Sequence, residues 1–304
     1  MNHQFLATGR PLAVLYNPAA GQRRRRLFQA SLAALREAGF ILELLETRGP
    51  GDATRLAETV ATRERPPAAL VVAGGDGTIN EAVNGLAGHG LPLAVIPLGT
   101  ANVLALELGL PRDPLGIAAG LVADRRREIH LGHVESAAGR RHFVMMAGVG
   151  YDAHVVAGVS PRWKRRVGKL AYVGEMFRQL GRFHFTPYRL RFDGGGEIVA
   201  ASAILANGRH YGGPFVCAPD ADLGAERLDA CLFRDGGRLA AVKYGIVLGL
   251  DRIPRLASVD LRSFRHLTIE GPAGDPVQGD GDIIARLPAT ISLAGTRITV
   301  IRAA

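Results

Sequence analysis

The stretch Ala69–Leu86 reads ALVVAGGDGTINEAVNGL, and it decides the fold of the first half of the chain. The apolar run Ala69–Ala73 predicts a buried strand. This strand runs directly into the glycine-rich turn Gly74–Thr78, and a helix is predicted to follow over residues 79–86. Glycines let backbone N–H groups approach an anion, and the N-terminus of the helix adds a favourable dipole. The stretch therefore predicts a phosphate-binding turn between a strand and a helix.

Asp76 lies in the middle of this turn, and two interpretations of it are open. A carboxylate beside a phosphate is useful if it binds Mg²⁺ or handles a proton during phosphoryl transfer. Aspartate is also a common helix-capping residue, so a purely structural turn would explain it equally well. The turn alone does not decide between these interpretations.

Strand and helix signals alternate on both sides of this stretch. Strands are predicted over residues 11–16, 40–45 and 93–96, and helices over residues 23–38, 52–63 and 102–108. Such alternation predicts a parallel sheet whose ligand-binding loops gather at the carboxyl ends of the strands.

The pattern changes after about residue 127, where short runs with a period of two lie between turns. Helices are predicted to interrupt these runs near residues 167–180 and 239–250. The predicted fold is thus a Rossmann-like α/β domain over residues 1–128, followed by a β-sandwich domain over residues 129–304. The active site is expected in the cleft between the two domains. Return of the last strand to the first domain is left open.

The composition limits the class of protein. The 304 residues are 47% hydrophobic, which is enough for a sizeable core, and no stretch approaches the roughly 20 apolar residues that cross a bilayer. The N-terminus lacks the layout of a signal peptide, so we expect a cytoplasmic protein. Cys217 and Cys231 form neither a disulfide framework nor a metal-site spacing, and they are expected to be buried.

The net charge of +9 suits nucleic acid, anionic lipid or phosphate ligands. Arg23–Arg26 either approaches phosphates near the first strand or is simply solvated. Arg162–Arg166, which includes Trp163, precedes an amphipathic stretch that ends near Leu180. Cations with a tryptophan suit the surface of an anionic membrane, and a core-packing helix with a solvated start is the alternative.

Further motifs accompany the glycine-rich turn in a fixed order. They are Asn17–Gly21, Thr47, Pro97–Asn102, Asn207–Gly208 with Tyr211–Gly213, and Asp280–Gly281. Together with residues 74–86, this set resembles the diacylglycerol kinase catalytic domain family of bacterial diacylglycerol kinases and sphingosine kinase-like lipid kinases. The resemblance covers essentially the whole chain. It implies an enzyme that uses ATP and Mg²⁺ to phosphorylate a lipid hydroxyl at the inner face of the membrane. A diacylglycerol-like lipid is the first expectation, and ceramide and sphingoid bases are the alternatives.

The resemblance also implies roles for individual residues. Asp280 and Asp76 are the catalytic candidates: Asp280 would be the general base for the lipid hydroxyl, and Asp76 would lie by the phosphates. Asp222 and Asp76 would bind the metal. An ordinary turn-forming role for Asp280 stays open. The residues implied to hold ATP are Asn17, Thr47, Gly74, Gly75, Gly77, Thr78, Glu81, Gly99 and Thr100.

Two positions depart from the family pattern. Ala225-Glu226 stands where an Asp-Gly pair is usual before Leu228-Asp229, and Glu226 is a candidate to compensate at the metal. Asp282 stands where the family usually has glutamate.

Two other functions are weighed against the lipid kinase. NAD kinase shares the Gly-Gly-Asp-Gly-Thr motif, but residues 80–85 and 97–102 argue against it. A non-catalytic protein that binds lipid or nucleic acid is permitted by the charge. No helix-turn-helix or aromatic RNA-binding pattern occurs, so no nucleic-acid partner is expected. A homodimer is left open.

Overall fold

The computed structural model describes residues 9–21, 24–160 and 169–302 and divides into two compact units. The first unit contains residues 1–129 and 296–304, and the second contains residues 130–295. The basic segment Arg162–Arg166, on which the membrane expectation partly depends, lies outside the described residues.

Parallel strands alternate with helices in the first unit, which confirms the predicted α/β class. Strands β1–β4 are Pro11–Tyr16, Ile41–Glu46, Ala69–Gly74 and Leu93–Pro97. Helices α1–α6 are Pro18–Gly21, Arg25–Glu37, Asp52–Ala61, Asp76–Leu86, Val103–Glu107 and Pro114–Ala123. The strands pair in the order β2-β1-β3-β4, with all registers parallel.

Apolar burial explains these elements. Every residue of β3 is buried, as a near-continuous apolar run predicts for a central parallel strand. Phe28 and Leu35 of α2 pack into the same core as Leu121 of α6, and burying each such side chain contributes about 2 kcal/mol. Helices α3 and α4 approach so closely that a Cβ on Gly85 would lie 2.2 Å from the carbonyl oxygen of Thr54. Only glycine fits at that position.

Helix α4 begins earlier than the sequence predicted, at Asp76 rather than at Ile79. Gly75 precedes it with an extended backbone, so Gly77 and Thr78 lie within its first turn. Backbone N–H groups in a first turn have no partner inside the helix. The glycine-rich motif is therefore the end of a strand joined directly to the N-terminus of a helix.

Antiparallel strands make up most of the second unit. Strands β5–β11 are Arg125–Ser136, Gly139–Phe143, Met146–Val149, Tyr188–Phe192, Glu197–Ala200, Ser202–Ala206 and His210–Tyr211. Strands β12–β18 are Phe215–Val216, Leu228–Phe233, Val259–Phe264, His266–Glu270, Pro276–Gly279, Asp282–Arg286 and Ala289–Arg302. Strands β5 and β18 contribute residues to both units.

Two larger sheets of the second unit share one core. One sheet has the order β14-β13-β10-β7-β16-β17. In the other, β15 pairs with β8 and β18, β8 pairs with β9, and β5 pairs with β6. Phe143 and Leu190 from the second sheet and Val149 and Leu232 from the first belong to one buried cluster. This arrangement confirms the predicted β-sandwich.

The helices of the second unit are α7 (Tyr151–Gly158), α8 (Lys169–Arg182) and α9 (Arg238–Gly249), with a 3₁₀ turn at Ile253–Arg255. The two helices predicted from the sequence correspond to α8 and α9. Cys217 and Cys231 are buried free thiols, as expected. Across the described ranges, no helix combines the length and the apolar character needed to span a bilayer.

Candidate functional site

The sheet of the first unit has a topological switch point between β1 and β3, because β2 lies on one side of β1 and β3 on the other. Open α/β sheets bind ligands outside the carboxyl ends of their strands at such a point. Asn17 directly follows β1, and its Nδ2 donates a hydrogen bond to Thr78 Oγ1 at 2.9 Å. The Oδ1 atom of Asn17 accepts from the N–H groups of Ala19 and Ala20 at 3.0 and 3.3 Å. Two residues predicted to bind ATP thus meet at the switch point.

The loops after β3 and β4 touch through their glycines. The N–H groups of Leu98 and Gly99 donate to the Gly74 carbonyl oxygen at 2.9 and 3.2 Å. A Cβ on Gly75 would lie 3.2 Å from Gly99 Cα, and a Cβ on Gly99 would lie 2.5 Å from Gly75 Cα. Carbon atoms normally stay about 3.5–4.0 Å apart. The close approach therefore depends on glycine in both loops, and it brings the second loop beside the first turn of α4.

Asn102 holds the second loop in shape, and sequence reasoning did not assign it a role. The residue is buried and has a positive φ of 52°. Its Oδ1 accepts from Gly99 N–H at 2.8 Å, and its Nδ2 donates to the Gly99 carbonyl oxygen at 2.7 Å. Asparagine tolerates the left-handed region better than most residues, so its position at the start of the helix predicted over residues 102–108 was a usable signal.

The Asp76 carboxylate binds the same loop. It accepts hydrogen bonds from the N–H groups of Asn102 at 2.9 Å and Val103 at 2.6 Å, at the N-terminus of α5. These bonds support the structural interpretation that the sequence left open. A carboxylate offers about four acceptor positions, so the bonds do not exclude a metal at Asp76. Its metal and catalytic roles stay predictions.

The other residues predicted to hold ATP lie in the same unit. Glu81 Oε2 accepts from the N–H of Ala53 at 3.2 Å, which anchors the first turn of α3. Thr47 directly follows β2 and donates its N–H to the Tyr16 carbonyl oxygen at 2.9 Å. Thr100 follows the glycine contact and is exposed.

A cation from the first basic run reaches this region. Arg24 Nη1 donates to the Pro97 carbonyl oxygen at 3.0 Å, directly before the second glycine-rich loop. Close-packed glycines, the first-turn N–H groups of α4 and a nearby guanidinium together have the chemistry of a phosphate-binding site. The residues present therefore fit a nucleotide.

Asp280 occupies the turn between β16 and β17 in the second unit, with a positive φ of 51°. Its carboxylate accepts three backbone hydrogen bonds, from Val144 at 2.7 Å, Met145 at 2.9 Å and Met146 at 3.1 Å. These bonds fasten the turn to the segment between β6 and β7. Asp280 is therefore a structural anchor, and its role as general base stays a prediction. Asp282, two residues later, is exposed at the start of β17.

A polar network beside this turn is centred on Asp152, which sequence reasoning missed. The hydroxyl of Tyr211 donates to Asp152 Oδ1, and Gln278 Nε2 donates to Oδ2 at 2.9 Å. Gln278 Oε1 in turn accepts from the N–H of Gly281 at 3.0 Å. Burial raises the pKa of the Asp152 carboxyl group, and the two hydrogen bonds oppose that shift. Asp152 is therefore connected to the Asp280 turn through one glutamine.

A signal for Asp152 was present in the sequence. Gly150 directly follows the buried strand β7, and the acid lies in the first turn of α7, which repeats the strand–glycine–acid order of residues 69–76. Asn207, which the family motif includes, is buried. Its Nδ2 donates to the carbonyl oxygens of His130 at 2.8 Å and Val144 at 2.7 Å.

The stretch predicted to contact the metal forms a tight turn. Asp222 Oδ1 accepts from Gly224 N–H at 2.6 Å, and the Asp222 carbonyl oxygen accepts from Ala225 N–H at 2.8 Å. Glu226 makes an ion pair with Arg265 at 2.9 Å. In the part of the chain that the structure describes, no group of three or more His, Cys, Asp or Glu side chains could hold a metal ion. Mg²⁺ commonly binds through only one or two carboxylates together with water and substrate phosphates, and the metal role of Asp222 stays a prediction.

Comparison with known proteins identifies relatives along the whole chain. Residues 11–134 match the model described as "Diacylglycerol kinase catalytic domain", and residues 145–302 match "YegS C-terminal NAD kinase beta sandwich-like domain". A diacylglycerol kinase of Mycobacterium tuberculosis (strain CDC 1551 / Oshkosh) is 31% identical, over 96% of this chain and 94% of the relative. A diacylglycerol kinase of Bacillus subtilis (strain 168) is 34% identical over 73% of both chains.

A solved structure has the same fold. The crystal structure of a diacylglycerol kinase from Bacillus anthracis str. Sterne superimposes with a TM-score of 0.74. It covers 96% of each chain at 23% sequence identity, so this likeness supports the fold alone.

Proposed function

This kinase belongs to the diacylglycerol kinase family, and from that premise we propose that it transfers the γ-phosphoryl group of ATP to the hydroxyl group of a diacylglycerol-like lipid. The observation that carries the nucleotide half of the proposal is the contact between Gly75 and Gly99, beside the Asn17–Thr78 hydrogen bond. The names of the relatives support the lipid half.

In this proposal the phosphates of ATP bind the backbone at the start of α4. Gly75 and Gly77 leave the backbone uncovered there, and the helix dipole favours negative charge. Arg24 contributes positive charge near the second loop. The sequence has no G-x-x-x-x-G-K-[ST] motif, so there is no P-loop lysine to supply that charge. Mg²⁺ neutralises charge on the phosphates when bound, and Asp76 and Asp222 are the residues proposed to assist it.

The acceptor hydroxyl must lose a proton, and the proposal assigns that task to the β16–β17 turn. Asp280 is the first candidate base, and Asp282 is the second. The Asp280 carboxylate already accepts three backbone N–H bonds, whereas the Asp282 side chain is on an exposed strand end. The Asp152–Gln278 network holds the turn in position for either residue.

The location of the enzyme follows from its proposed substrate. A diacylglycerol-like lipid resides in a membrane, so we propose a cytoplasmic enzyme that visits the inner face of that membrane. Nucleic acid is not among its proposed partners.

Phosphoryl transfer from γ-labelled ATP tests the proposal directly. The purified chain is incubated with Mg²⁺ and with mixed micelles of diacylglycerol, ceramide or sphingosine, and in parallel with NAD. Labelled diacylglycerol is the expected product. Labelled ceramide or sphingosine would transfer the assignment to that lipid, and labelled NAD alone would overturn the lipid assignment. Gly99→Ala is the matched variant, and it should yield less labelled lipid at limiting ATP because its added methyl group displaces the nucleotide loops.

A further inference from the structure

Helix α8 buries one acidic side chain and exposes two large apolar ones. Its buried face includes Glu175, which is 8% exposed and is held by Arg178 through a 2.7 Å ion pair. Its opposite face includes Val173 at 45% exposure and Phe177 at 70%. A surface helix in water normally turns its apolar side chains inward and its charges outward. The reversal indicates that the outer face of α8 meets something other than water.

Helix α9 also exposes large apolar side chains. Leu239, Val242, Ile246 and Leu250 are 88%, 41%, 61% and 62% exposed. Their spacing of three, four and four residues places them in one stripe along the helix. On the other side of α9, Tyr244 packs edge-on against Phe233, with ring centroids 4.9 Å apart. The exposed stripe is therefore the side of α9 that is turned away from the protein.

The two helices pack against each other. A Cβ on Gly245 of α9 would lie 3.7 Å from the Cε atom of Met176 of α8. Single exposed apolar residues are ordinary, but a set of them on adjacent elements marks an interaction surface. We call this set the α8–α9 face, and it consists of Val173, Phe177, Leu239, Val242, Ile246 and Leu250.

The exposed charged side chains described on these two helices are positive. Arg178 and Arg182 are exposed on α8, and Arg238 and Lys243 are exposed on α9. Glu175 is the acidic residue of the two helix sequences, and it is buried. Apolar side chains bordered by cations suit a surface that is apolar inside and anionic outside.

We propose that the α8–α9 face is the surface by which this enzyme docks on an anionic phospholipid membrane, with its apolar side chains entering the acyl region and its cations meeting the headgroups. The inference rests on the proposed function, because a kinase that acts on a membrane lipid must reach the bilayer. A second copy of the chain is the less favourable occupant. Two copies paired through this face would bring like charges together, and such juxtaposition opposes association.

Vesicle sedimentation of the full chain, without ATP, tests the proposal. We expect binding to vesicles of phosphatidylglycerol and phosphatidylcholine, with much weaker binding to phosphatidylcholine alone. Phe177→Glu and Ile246→Glu should each lower the partition coefficient by at least about tenfold, because each removes one exposed apolar side chain that would enter the bilayer and places a negative charge against the anionic headgroups. Leu115→Glu is the matched control, since Leu115 is 72% exposed on α6 of the first unit. Its binding should equal that of the unmodified chain.

Equal binding of Phe177→Glu and the unmodified chain would overturn the proposal, as would an equal loss in Leu115→Glu. Sedimentation velocity provides the competing outcome: a dimer that Phe177→Glu dissociates would assign the face to a second copy instead. Thermal melting checks that each variant is folded. A Trp163→Phe/Phe177→Trp variant, in which position 177 carries the only tryptophan of the sequence, should keep vesicle binding and shift its emission to the blue on binding, and an unshifted emission would contradict insertion. These assays use no substrate, so a failure of docking is distinguishable from a failure of the kinase proposal.

Discussion

Replacing Gly99 with alanine should separate the two glycine-rich loops. The new Cβ would lie 2.5 Å from Gly75 Cα and 2.8 Å from Asn102 Oδ1. Because carbon atoms tolerate about 3.5 Å, the loops must move apart by roughly 1 Å. A displacement of that size at a binding site can cost up to about 100-fold, so we expect the Kd for ATP to rise at least about tenfold. Overpacking of this kind also costs roughly 1–3 kcal/mol of folding stability.

Gly75→Ala perturbs the same contact between the two loops by a smaller amount. Its Cβ would lie 3.2 Å from Gly99 Cα, which requires a shift of only a few tenths of an ångström. We expect a smaller loss of affinity than in Gly99→Ala, as measured by calorimetric titration with ATP and Mg²⁺. Gly194→Ala is the control, because nothing lies within 4 Å of its added Cβ. Tight ATP binding by a folded Gly99→Ala variant would refute the assignment of this contact to the nucleotide site.

Three further predictions concern the second unit. Gln278→Ala removes the link between Asp152 and the β16–β17 turn. In steady-state kinetics, kcat should therefore fall about tenfold while the KM for ATP stays constant. A change confined to KM would contradict this positioning role. Asn207→Ala removes the Nδ2 donor from two buried carbonyl oxygens, so the free energy of unfolding measured in urea should fall by roughly 2–4 kcal/mol. An unchanged unfolding midpoint would contradict this prediction. Burial lowers the pKa of His133 and His142 from the usual value of 6.5. Below pH 6.5 these imidazoles are therefore protonated more fully in the unfolded chain than in the folded chain, which favours unfolding. The melting temperature should therefore fall as the pH drops below 6.5, and a His133→Leu/His142→Leu double variant should melt with a flatter pH profile.

Local patterns were sufficient to predict strands β1–β4 and helices α2–α5 of the first unit, but helices α1 and α6 were not predicted. The apolar run before Gly74 became β3, and the parallel sheet followed from the alternation of strands and helices. The start of α4 was predicted too late because glycines were interpreted as loop residues. A first turn needs no acceptor inside the helix, so Gly75 and Gly77 are tolerated where the motif meets the helix.

Residues that act through distant contacts could not be assigned from local patterns. Asp280 binds a segment that lies 134 to 136 residues earlier in the chain, and Gln278 binds Asp152 across 126 residues. Periodicity reports which face of an element is buried, but it does not report which loop a carboxylate will meet. The sequence left open whether the apolar side of helix α8 meets a membrane or the core, because an amphipathic pattern gives no sign of which face is turned inward.

Asp76 and Asp280 share one structural device, and that device determines how their variants must be interpreted. Each carboxylate accepts N–H bonds from successive residues of another loop. Asparagine keeps a single acceptor oxygen and adds an NH₂ donor, which would face backbone N–H groups. Asp280→Asn should therefore lower the melting temperature as well as turnover, and lost activity in that variant alone would not identify the base.

The comparison that identifies the base is with Asp282→Asn, because an exposed strand end tolerates this change at little cost in stability. If Asp280 is the base, the Asp282 variant retains most of its turnover and its melting temperature. If turnover disappears in the Asp282 variant while melting and ATP binding stay normal, the base is Asp282 and Asp280 is the anchor that holds it. The second result would refute the assignment of Asp280 as the base and would leave the proposed kinase reaction intact.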